Sequence, residues 1–368
     1  MTGNGTSVAS FDPVARPLKG RGATLNPANR FDSARTEPFD DGWGTSSQSE
    51  ADQVQTTVFS ETARSAITYN RSPDIPFDRS INSYKGCEHG CAYCFARPTH
   101  EYLGLSLGLD FETKIFAKHD APMLLEQELN APGYSPQLIA LGVNTDAYQP
   151  VERELRITRR ILETLSRHGH PVLLITKSAL VLRDMDILGP MAARHLAMVH
   201  VSVTTLDRDL SRALEPRAAA PHRRLETVAT LARAGIPVGV LAAPMIPALN
   251  DSELEAILGE AREAGAAYGR YTLLRLPHGV KELFADWLSR HVPDRKERVL
   301  NQVRSMRGGK LNEPEFGARF AGRGPYAELL ARRFRVATRR LGLNQDRWSP
   351  DLTQFRKSDA GPQLTLGF

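Results

Sequence analysis

The amino-acid sequence predicts an α/β fold organised around a parallel sheet. Short apolar runs of roughly four to ten residues alternate with longer segments in which apolar residues recur at the spacing of one helix face. Glycine and proline separate these segments, as in Gly235-Ile236-Pro237, where glycine can cap a helix and proline cannot continue it. Such alternation is typical of βα units, in which each helix returns the chain so that the next strand runs parallel to the last.

Six strands are predicted, and each has an apolar centre with polar residues or glycine near its end. They cover residues 81–84, 137–144, 171–178, 196–205, 238–246 and 271–276. Helices are predicted at 121–130, 152–168, 184–194, 223–234 and 252–264, and a further half-buried strand at 112–118. From this pattern alone, the six βα units could form part of a barrel or a doubly wound open sheet.

The composition changes outside residues 56–280, which we take as the core domain. Residues 1–55 are rich in small polar residues and lack an apolar period, which predicts a mobile arm. Within this arm, residues 19–31 place glycines beside arginines, a pattern that suits a flexible tail, a phosphate contact or the edge of a domain. Residues 281–345 are predicted to form a helical basic extension, and residues 346–368 a loose tail.

Positive charge is concentrated near the C-terminus. Residues 294–346 hold 13 Lys and Arg against six Asp and Glu, whereas the net charge of the whole chain is +5. Such a surface can attract the phosphates of a nucleic acid, or it can be an ordinary solvated surface. No apolar run reaches the roughly 18 residues of a membrane span, and the N-terminus lacks an apolar signal core. We therefore expect a cytoplasmic protein with no membrane partner.

All three cysteines of the chain lie within eight positions, at Cys87, Cys91 and Cys94. An odd number of cysteines cannot form a fully paired disulfide framework, whereas thiolates this close in sequence can converge on one metal centre. Structural zinc and cubane iron–sulfur clusters both take four ligands. The sequence thus leaves two possibilities open. A histidine completes a zinc site, or a cluster keeps one iron without a protein ligand. The candidate histidines are His89, His100 and His119.

Polar residues follow three of the predicted strands, at the edge where ligands bind in parallel βα folds. Lys177 ends the third strand beside two hydroxyl residues and suits a carboxylate or a ribose. The other candidates for ligand contacts at strand ends are Asn144, Asp146, Ser202 and Thr204. The alternative for each is an ordinary turn, N-cap or polar strand end. Glu215, in a loop before a helix, could bind ribose hydroxyls or pair with Arg217.

The cysteine motif C-x3-C-x2-C, with Tyr93 beside the last cysteine and Phe95 after it, resembles the radical S-adenosylmethionine (SAM) enzymes. The segments NTDAYQPVE, ITKSALVLRDMDIL, VSVTTLD and PMIPALND extend this resemblance to the spore photoproduct lyase-related branch, which is often described as DNA repair photolyase-like. The resemblance covers residues 75–280 and implies a partial (β/α)6 barrel of the TIM type.

By this resemblance, the three cysteines hold a [4Fe-4S] cluster, and the remaining iron binds the amino and carboxylate groups of SAM. Lys177 and Ser202 match family positions that contact SAM. The further candidates for the cofactor site are Tyr93, Asn144, Asp146 and Thr204. The resemblance does not identify catalytic residues.

The function that the resemblance implies is reductive cleavage of SAM, followed by abstraction of hydrogen from an unidentified substrate, for which nucleic acid is one candidate. The electron would come from a donor such as flavodoxin or ferredoxin. The alternative is a non-catalytic zinc or iron–sulfur protein that binds nucleic acid or senses redox state. Spore photoproduct lyase uses an additional cysteine as hydrogen donor, and this chain has none. A product radical would need another source, such as Tyr93, Tyr148, an external thiol or 5'-deoxyadenosine.

Overall fold

A computed structural model describes residues 18–32 and 54–358. Its strands are β1 (Thr57–Ser60), β2 (Ile67–Tyr69), β3 (Arg79–Ile81), β4 (Tyr84–Lys85), β5 (Lys114–Ala117), β6 (Ile139–Leu141), β7 (Val172–Thr176), β8 (Ala197–Ser202), β9 (Val238–Met245) and β10 (Tyr268–Leu273). Its α-helices are α1 (Leu109–Thr113), α2 (Ala121–Asn130), α3 (Glu152–Leu155), α4 (Ile157–Arg167), α5 (Met185–Ala193), α6 (Arg208–Leu214), α7 (Pro221–Arg233), α8 (Leu254–Glu263), α9 (Val280–His291), α10 (Lys296–Ser305) and α11 (Pro325–Leu341).

The main sheet has seven strands in the order β10-β9-β8-β7-β6-β3-β2. Six of them, β3 and β6 to β10, are parallel to their neighbours, and β2 is antiparallel at the edge. The predicted parallel α/β fold with six βα strands is therefore confirmed. A small second sheet, in the order β1-β5-β4, stands beside it. No helix within residues 18–32 and 54–358 has the length and hydropathy needed to cross a bilayer.

Several strand boundaries differ from the sequence prediction, and the first and last strands show a physical reason. The first strand, predicted at 81–84, ends at Ile81, because the chain then turns and Tyr84 and Lys85 pair with β5 in the small sheet. The last strand, predicted at 271–276, begins at Tyr268. Gly269 and Arg270 do not look like strand residues, yet they pair with β9 across the sheet. In both places, pairing with a distant strand overrides the local pattern.

The predicted helix 152–168 is divided into α3 and α4 by Arg156, which adopts the left-handed conformation with a φ of 51°. The carboxylate of Glu152 accepts the backbone N–H groups of Thr158, at 3.0 Å, and Arg159, at 3.3 Å. These contacts satisfy donors that an interrupted helix would otherwise leave unpaired. The predicted strand 112–118 is also shorter, because Thr113 and the residues before it belong to α1.

The core lies between the main sheet and the helices that return the chain. Helix α4 shows how it forms, because Ile161, Leu162 and Leu165 recur on one face and are fully buried against the sheet. Each such side chain stabilises the fold by about 1.5–3 kcal/mol relative to an exposed one. The predicted helices of the basic extension are present as α9, α10 and α11. Helix α11 packs on α8, and Arg333 pairs with Glu255 across this contact.

Two terminal segments that were expected to be mobile or loose pack against the core instead. Residues 18–32 follow the surface of the core, and the backbone N–H of Leu109 donates to the carbonyl of Leu25 at 3.2 Å. Residues 346–358 cover α2 and α4, where the ring of Phe355 stacks on His168 with centroids 6.1 Å apart. In the structure these residues are thus packed segments of the domain. The rest of the predicted arm and tail, at 1–17, 33–53 and 359–368, lies outside the described residues.

The contact of Gly22 with the cysteine loop gives a direct test of this packing. A Cβ atom on Gly22 would lie 1.7 Å from the carbonyl oxygen of Gly90, so Gly22→Ala must push the two backbones apart. We expect this change to lower the free energy of unfolding by about 1–3 kcal/mol and to release the backbone of residues 18–32. Thermal unfolding and amide hydrogen exchange measure the two effects.

Gly259→Ala in α8 is the matched control, because a Cβ atom there meets nothing within 4 Å. Alanine is the better helix former, so this variant should be as stable as the wild type or up to about 1 kcal/mol more stable. Equal stability and equal amide protection of residues 18–32 in Gly22→Ala and wild-type protein would contradict the packing described here.

Candidate functional site

The cysteine loop, residues 87–94, lies at the C-terminal edge of the parallel strands. It is tied to the loop after β6, because Thr145 donates its hydroxyl to the carbonyl of Gly86 at 2.6 Å. It is also tied to the end of α6, because the N–H of Ala92 donates to the carbonyl of Leu214 at 2.9 Å. The loop is thus held among the segments that follow several strands, where ligands gather in folds of this type.

The three thiols are close enough to influence one another. Cys87 and Cys91 are buried, and Cys94 is partly exposed and contacts the apolar clusters around both of them. Burial raises the pKa of Cys91 to about 12, although the ammonium of Lys177 opposes this change. Burial also raises the pKa of Cys87, and Asp146, Cys91 and Cys94 raise it further. Free thiolates are therefore unfavourable here. A metal that replaces the thiol protons would remove the repulsion among the negative sulfurs.

The donor set fits a cluster better than a single zinc ion. No three His, Cys, Asp or Glu side chains among residues 18–32 and 54–358 are grouped closely enough to hold one metal ion. In a cluster each thiolate takes a different iron, so the sulfurs need not meet at one point. Two of the candidate zinc histidines have other contacts. His100 bonds through Nε2 to the carbonyl of Lys114 at 2.9 Å, and Nδ1 of His89 lies 3.3 Å from Oδ2 of Asp146.

A buried ion pair between Arg97 and Glu112 supports the loop from behind. Arg97 donates from Nε and Nη2 to the carbonyl of Cys91, at 3.0 and 2.8 Å, and from Nη2 to Oε1 of Glu112 at 2.5 Å. The same carboxylate accepts the backbone N–H groups of Gly22, at 3.0 Å, and Ala23, at 2.8 Å. Neither side chain of the pair is exposed to solvent. The N-terminal segment and the cysteine loop are therefore joined through one carboxylate.

A second buried network lies beside Cys91. The hydroxyls of Tyr93 and Thr204 and the guanidinium of Arg224 all donate to the carboxylate of Glu215, with 2.6 Å between Thr204 Oγ1 and Glu215 Oε1. Burial raises the pKa of Glu215, but Arg224 and Lys177 outweigh this effect and hold it below the usual value. Glu215 is thus an ionised carboxylate with three donors, held beneath the site.

Lys177 follows β7 directly and points toward this network. Its Nζ atom lies 5.9 Å from the ring centroid of Tyr93. Burial lowers the pKa of Lys177, but the charges of Cys91 and Glu215 outweigh burial and raise it. Within residues 18–32 and 54–358, this ammonium makes no hydrogen bond or ion pair. A half-buried, charged and unpaired ammonium beside the cysteines is suited to receive an anionic group of a ligand.

The other residues predicted for the cofactor site differ in whether their side chains already have partners in the protein. Asp146 is occupied, because it accepts from the Thr176 hydroxyl and from the N–H of Lys177, each at 2.7 Å. Burial raises the pKa of Asp146, but His89 and these donors hold it below its usual value. Ser202 donates its hydroxyl to the carbonyl of Ala243 at 3.2 Å. Asn144 is exposed, and its side chain takes no part in the network around Glu215.

Some contacts of the site were not predicted. Glu215 pairs with Arg224 in α7, whereas Arg217 pairs with Glu88 at 3.1 Å, so the suggested Glu215–Arg217 pair is wrong. Arg97 and Glu112 were also missed. Nothing in the local sequence distinguishes these charged residues from solvent-exposed ones. Tyr93 and Tyr148 were suggested as sources of a hydrogen atom for a product radical. Tyr148 is fully buried, and its hydroxyl donates to Asp184 at 3.1 Å. Tyr93 lies beside Cys91.

Two relatives each match about 60% of this chain. An uncharacterized protein of Mycobacterium tuberculosis (strain H37Rv) is 36% identical over 222 residues, which are 60% of this chain and 65% of that protein. The matched part thus spans slightly less than two thirds of this relative. An uncharacterized protein of Methanocaldococcus jannaschii is 26% identical over 223 residues, which are 61% of this chain and 80% of that protein.

Solved structures of spore photoproduct lyase share the fold. The enzyme complexed with dinucleoside spore photoproduct has a TM-score of 0.56 at 15% identity, over 78% of this chain and 80% of that chain. A variant with bound AdoMet and the same dinucleoside has a TM-score of 0.56 at 14% identity, with the same coverage. Residues 81–261 match the family model of the Radical SAM superfamily. This stretch includes all three cysteines, Lys177 and Glu215, and the chain therefore contains a Radical SAM superfamily domain.

Proposed function

We propose that this protein is a radical SAM enzyme whose Cys87, Cys91 and Cys94 hold a [4Fe-4S] cluster with one iron left for SAM. The observation that carries the proposal is the position of the Lys177 ammonium, which makes no hydrogen bond or ion pair among the described residues, next to a loop that holds three free cysteines. When bound and reduced by a donor such as flavodoxin or ferredoxin, such a cluster supplies the electron that cleaves SAM to methionine and a 5'-deoxyadenosyl radical, which abstracts hydrogen from the substrate.

The residues of this chain bind and orient SAM. Lys177 offers its ammonium to the carboxylate or ribose of SAM, because among the described residues it makes no hydrogen bond or ion pair and only faces the Tyr93 ring. Glu215 fixes the hydroxyls of Tyr93 and Thr204, so these groups are positioned before the ligand arrives. Asp146 holds the backbone N–H of Lys177 at 2.7 Å and thereby sets where the lysine leaves β7.

Two further candidates complete the proposed cofactor site. Asn144 is exposed on the loop after β6 and is available to bind the amino group of SAM. Ser202 lies at the end of β8, and its carbonyl accepts Arg224 at 3.1 Å, which links it to the buried network around Glu215. In this arrangement the polar groups are tied into the protein before SAM binds, which lowers the cost of ordering them on binding.

The assay for this function is formation of 5'-deoxyadenosine during anaerobic incubation with dithionite and SAM. The reconstituted protein should hold about four iron atoms and form 5'-deoxyadenosine. Cys91→Ala should abolish the product, because it removes the buried central ligand of the loop.

Matched measurements on Gly259→Ala, which leaves the site untouched, control for reconstitution and handling. One zinc per chain with no iron would instead favour a zinc-dependent binding protein. Iron without SAM cleavage would favour a redox sensor. Either result would contradict the proposed enzyme.

We infer that the substrate is a nucleic acid, and two observations support this choice. The basic extension continues into the site region, because α9 contributes Trp287 to the same apolar cluster as Cys91 and Tyr93. Helix α10, which carries Lys296, Arg298 and Arg304, contributes Val299, Leu300 and Val303 to the same cluster, so part of the positive charge of residues 294–346 lies on an element that adjoins the site. The structural neighbour that binds a dinucleoside photoproduct has the same fold.

Filter binding at two salt concentrations tests the substrate class. Phosphate contacts release counterions, so affinity for an oligonucleotide with six such contacts should fall by about 10³-fold between 50 and 200 mM salt. Affinity that is absent, or that does not change with salt, would remove nucleic acid as the substrate and would leave the proposed SAM chemistry unaffected.

A further inference from the structure

Arg275 lies at the same edge of the sheet as the cysteine loop. It comes two residues after the end of β10, and the preceding Leu274 still donates its N–H to the carbonyl of Met245 at 3.0 Å. Its guanidinium carbon lies 5.2 Å from the ring centroid of Phe95 and 4.8 Å from that of Phe320. Phe95 directly follows Cys94 in the chain. The guanidinium therefore sits next to the candidate metal centre, between two aromatic rings.

The charge of Arg275 has no partner in the described parts of the chain. Its Nε atom is buried and makes no hydrogen bond, and the side chain forms no ion pair with any carboxylate in residues 18–32 or 54–358. Burial lowers the pKa of Arg275 to about 10, and the charges of Arg319 and Arg307 add to this effect. A guanidinium that is partly withdrawn from water, with a buried Nε that has no acceptor, destabilises the protein. An arrangement of this kind is expected where a ligand supplies the acceptor.

Two further arginines lie near Arg275, and neither leaves a free carboxylate for it. Arg319 pairs with Asp74 at 2.6 Å, so its charge is already balanced. Arg307 is buried and donates to the carbonyl of Leu274 at 2.6 Å, and its own Nε atom has no partner among the described residues. Arg275 and Arg307 thus bring two positive charges to the region without a carboxylate at ion-pair distance in the described structure. The local field favours an anion.

We propose that Arg275, between Phe95 and Phe320, is a binding site for an oxyanion of the substrate. A guanidinium presents parallel N–H donors that match a phosphate or a carboxylate. Phe95 is 39% exposed, so an aromatic surface remains beside the proposed anion position. This surface suits a ligand whose oxyanion is attached to a flat, apolar group. That the ligand is the substrate rests on the proposed function, whereas the oxyanion site itself does not.

Phosphate-dependent stability of the full-length protein, reconstituted anaerobically, tests the site. The unfolding temperature is measured as inorganic phosphate replaces chloride at constant ionic strength. At ten times its dissociation constant, phosphate should raise the unfolding temperature of the wild type by about 2 °C. Arg275→Met keeps a long apolar side chain but removes the charge, and it should abolish the increase.

Two further variants make the result specific. Arg275→Lys keeps the charge without the planar fork and should retain a smaller increase. Arg339→Gln removes an exposed charge from α11 and should respond to phosphate as the wild type does. Since Arg275→Met and Arg339→Gln have the same net charge, a difference between them cannot come from general electrostatic attraction. An equal phosphate response in Arg275→Met and the wild type, or no response in the wild type, would overturn the proposal.

The source of the oxyanion is distinguished by repeating the measurement with benzoate and with a single-stranded oligonucleotide. Stabilisation by the oligonucleotide that requires Arg275 assigns the site to a nucleic-acid phosphate. Stabilisation by benzoate that requires Arg275 assigns it to a carboxylate. Both results support the site. These readouts need neither SAM nor turnover, so loss of 5'-deoxyadenosine formation with an intact phosphate response would reject the proposed function and keep the oxyanion site.

Discussion

The buried ion pair between Arg97 and Glu112 fixes the loop on which the proposed chemistry depends. Arg97 holds the carbonyl of Cys91, and Glu112 holds the backbone of Gly22 and Ala23. Removing two charges from water is costly, and such a pair is tolerated only when further hydrogen bonds satisfy both groups. Here every such bond goes to a backbone group of a segment that would otherwise be free to move. The pair therefore gives a short, glycine-containing loop one defined shape.

The same reasoning explains the network on the other side of Cys91. Glu215 accepts hydrogen bonds from Arg224, Tyr93 and Thr204, and Lys177 acts on its charge only from a distance, without a hydrogen bond. The lysine ammonium consequently remains available. Arg275 shows a related feature farther along the same edge, where a guanidinium lies between aromatic rings without an acceptor in the described structure. Satisfied ion pairs shape the site, and the unsatisfied cations at its surface are where ligand groups are expected.

The parallel sheet could be predicted from the sequence because its strands are apolar runs separated by amphipathic helices. The cysteine loop and Lys177 could be placed at one edge because parallel strands bring their C-terminal ends together. What could not be predicted depends on contacts between distant residues. Residues 18–32 look like a flexible arm because their partner, the carboxylate of Glu112, is some 90 positions away. Arg275 looks like a surface arginine in the sequence. Only the pairing of β10 with β9 shows that it lies beside Phe95 and Phe320.

The central claim is that three cysteines leave one iron open beside Lys177. The most direct measurement is the electron paramagnetic resonance spectrum of the reduced protein as SAM is added. An open iron beside Lys177 predicts a [4Fe-4S] signal that changes with SAM and saturates. It also predicts a roughly tenfold higher SAM requirement in Lys177→Met but not in Lys281→Met, which alters an exposed lysine. A cluster signal that SAM leaves unchanged, at any concentration, would contradict it.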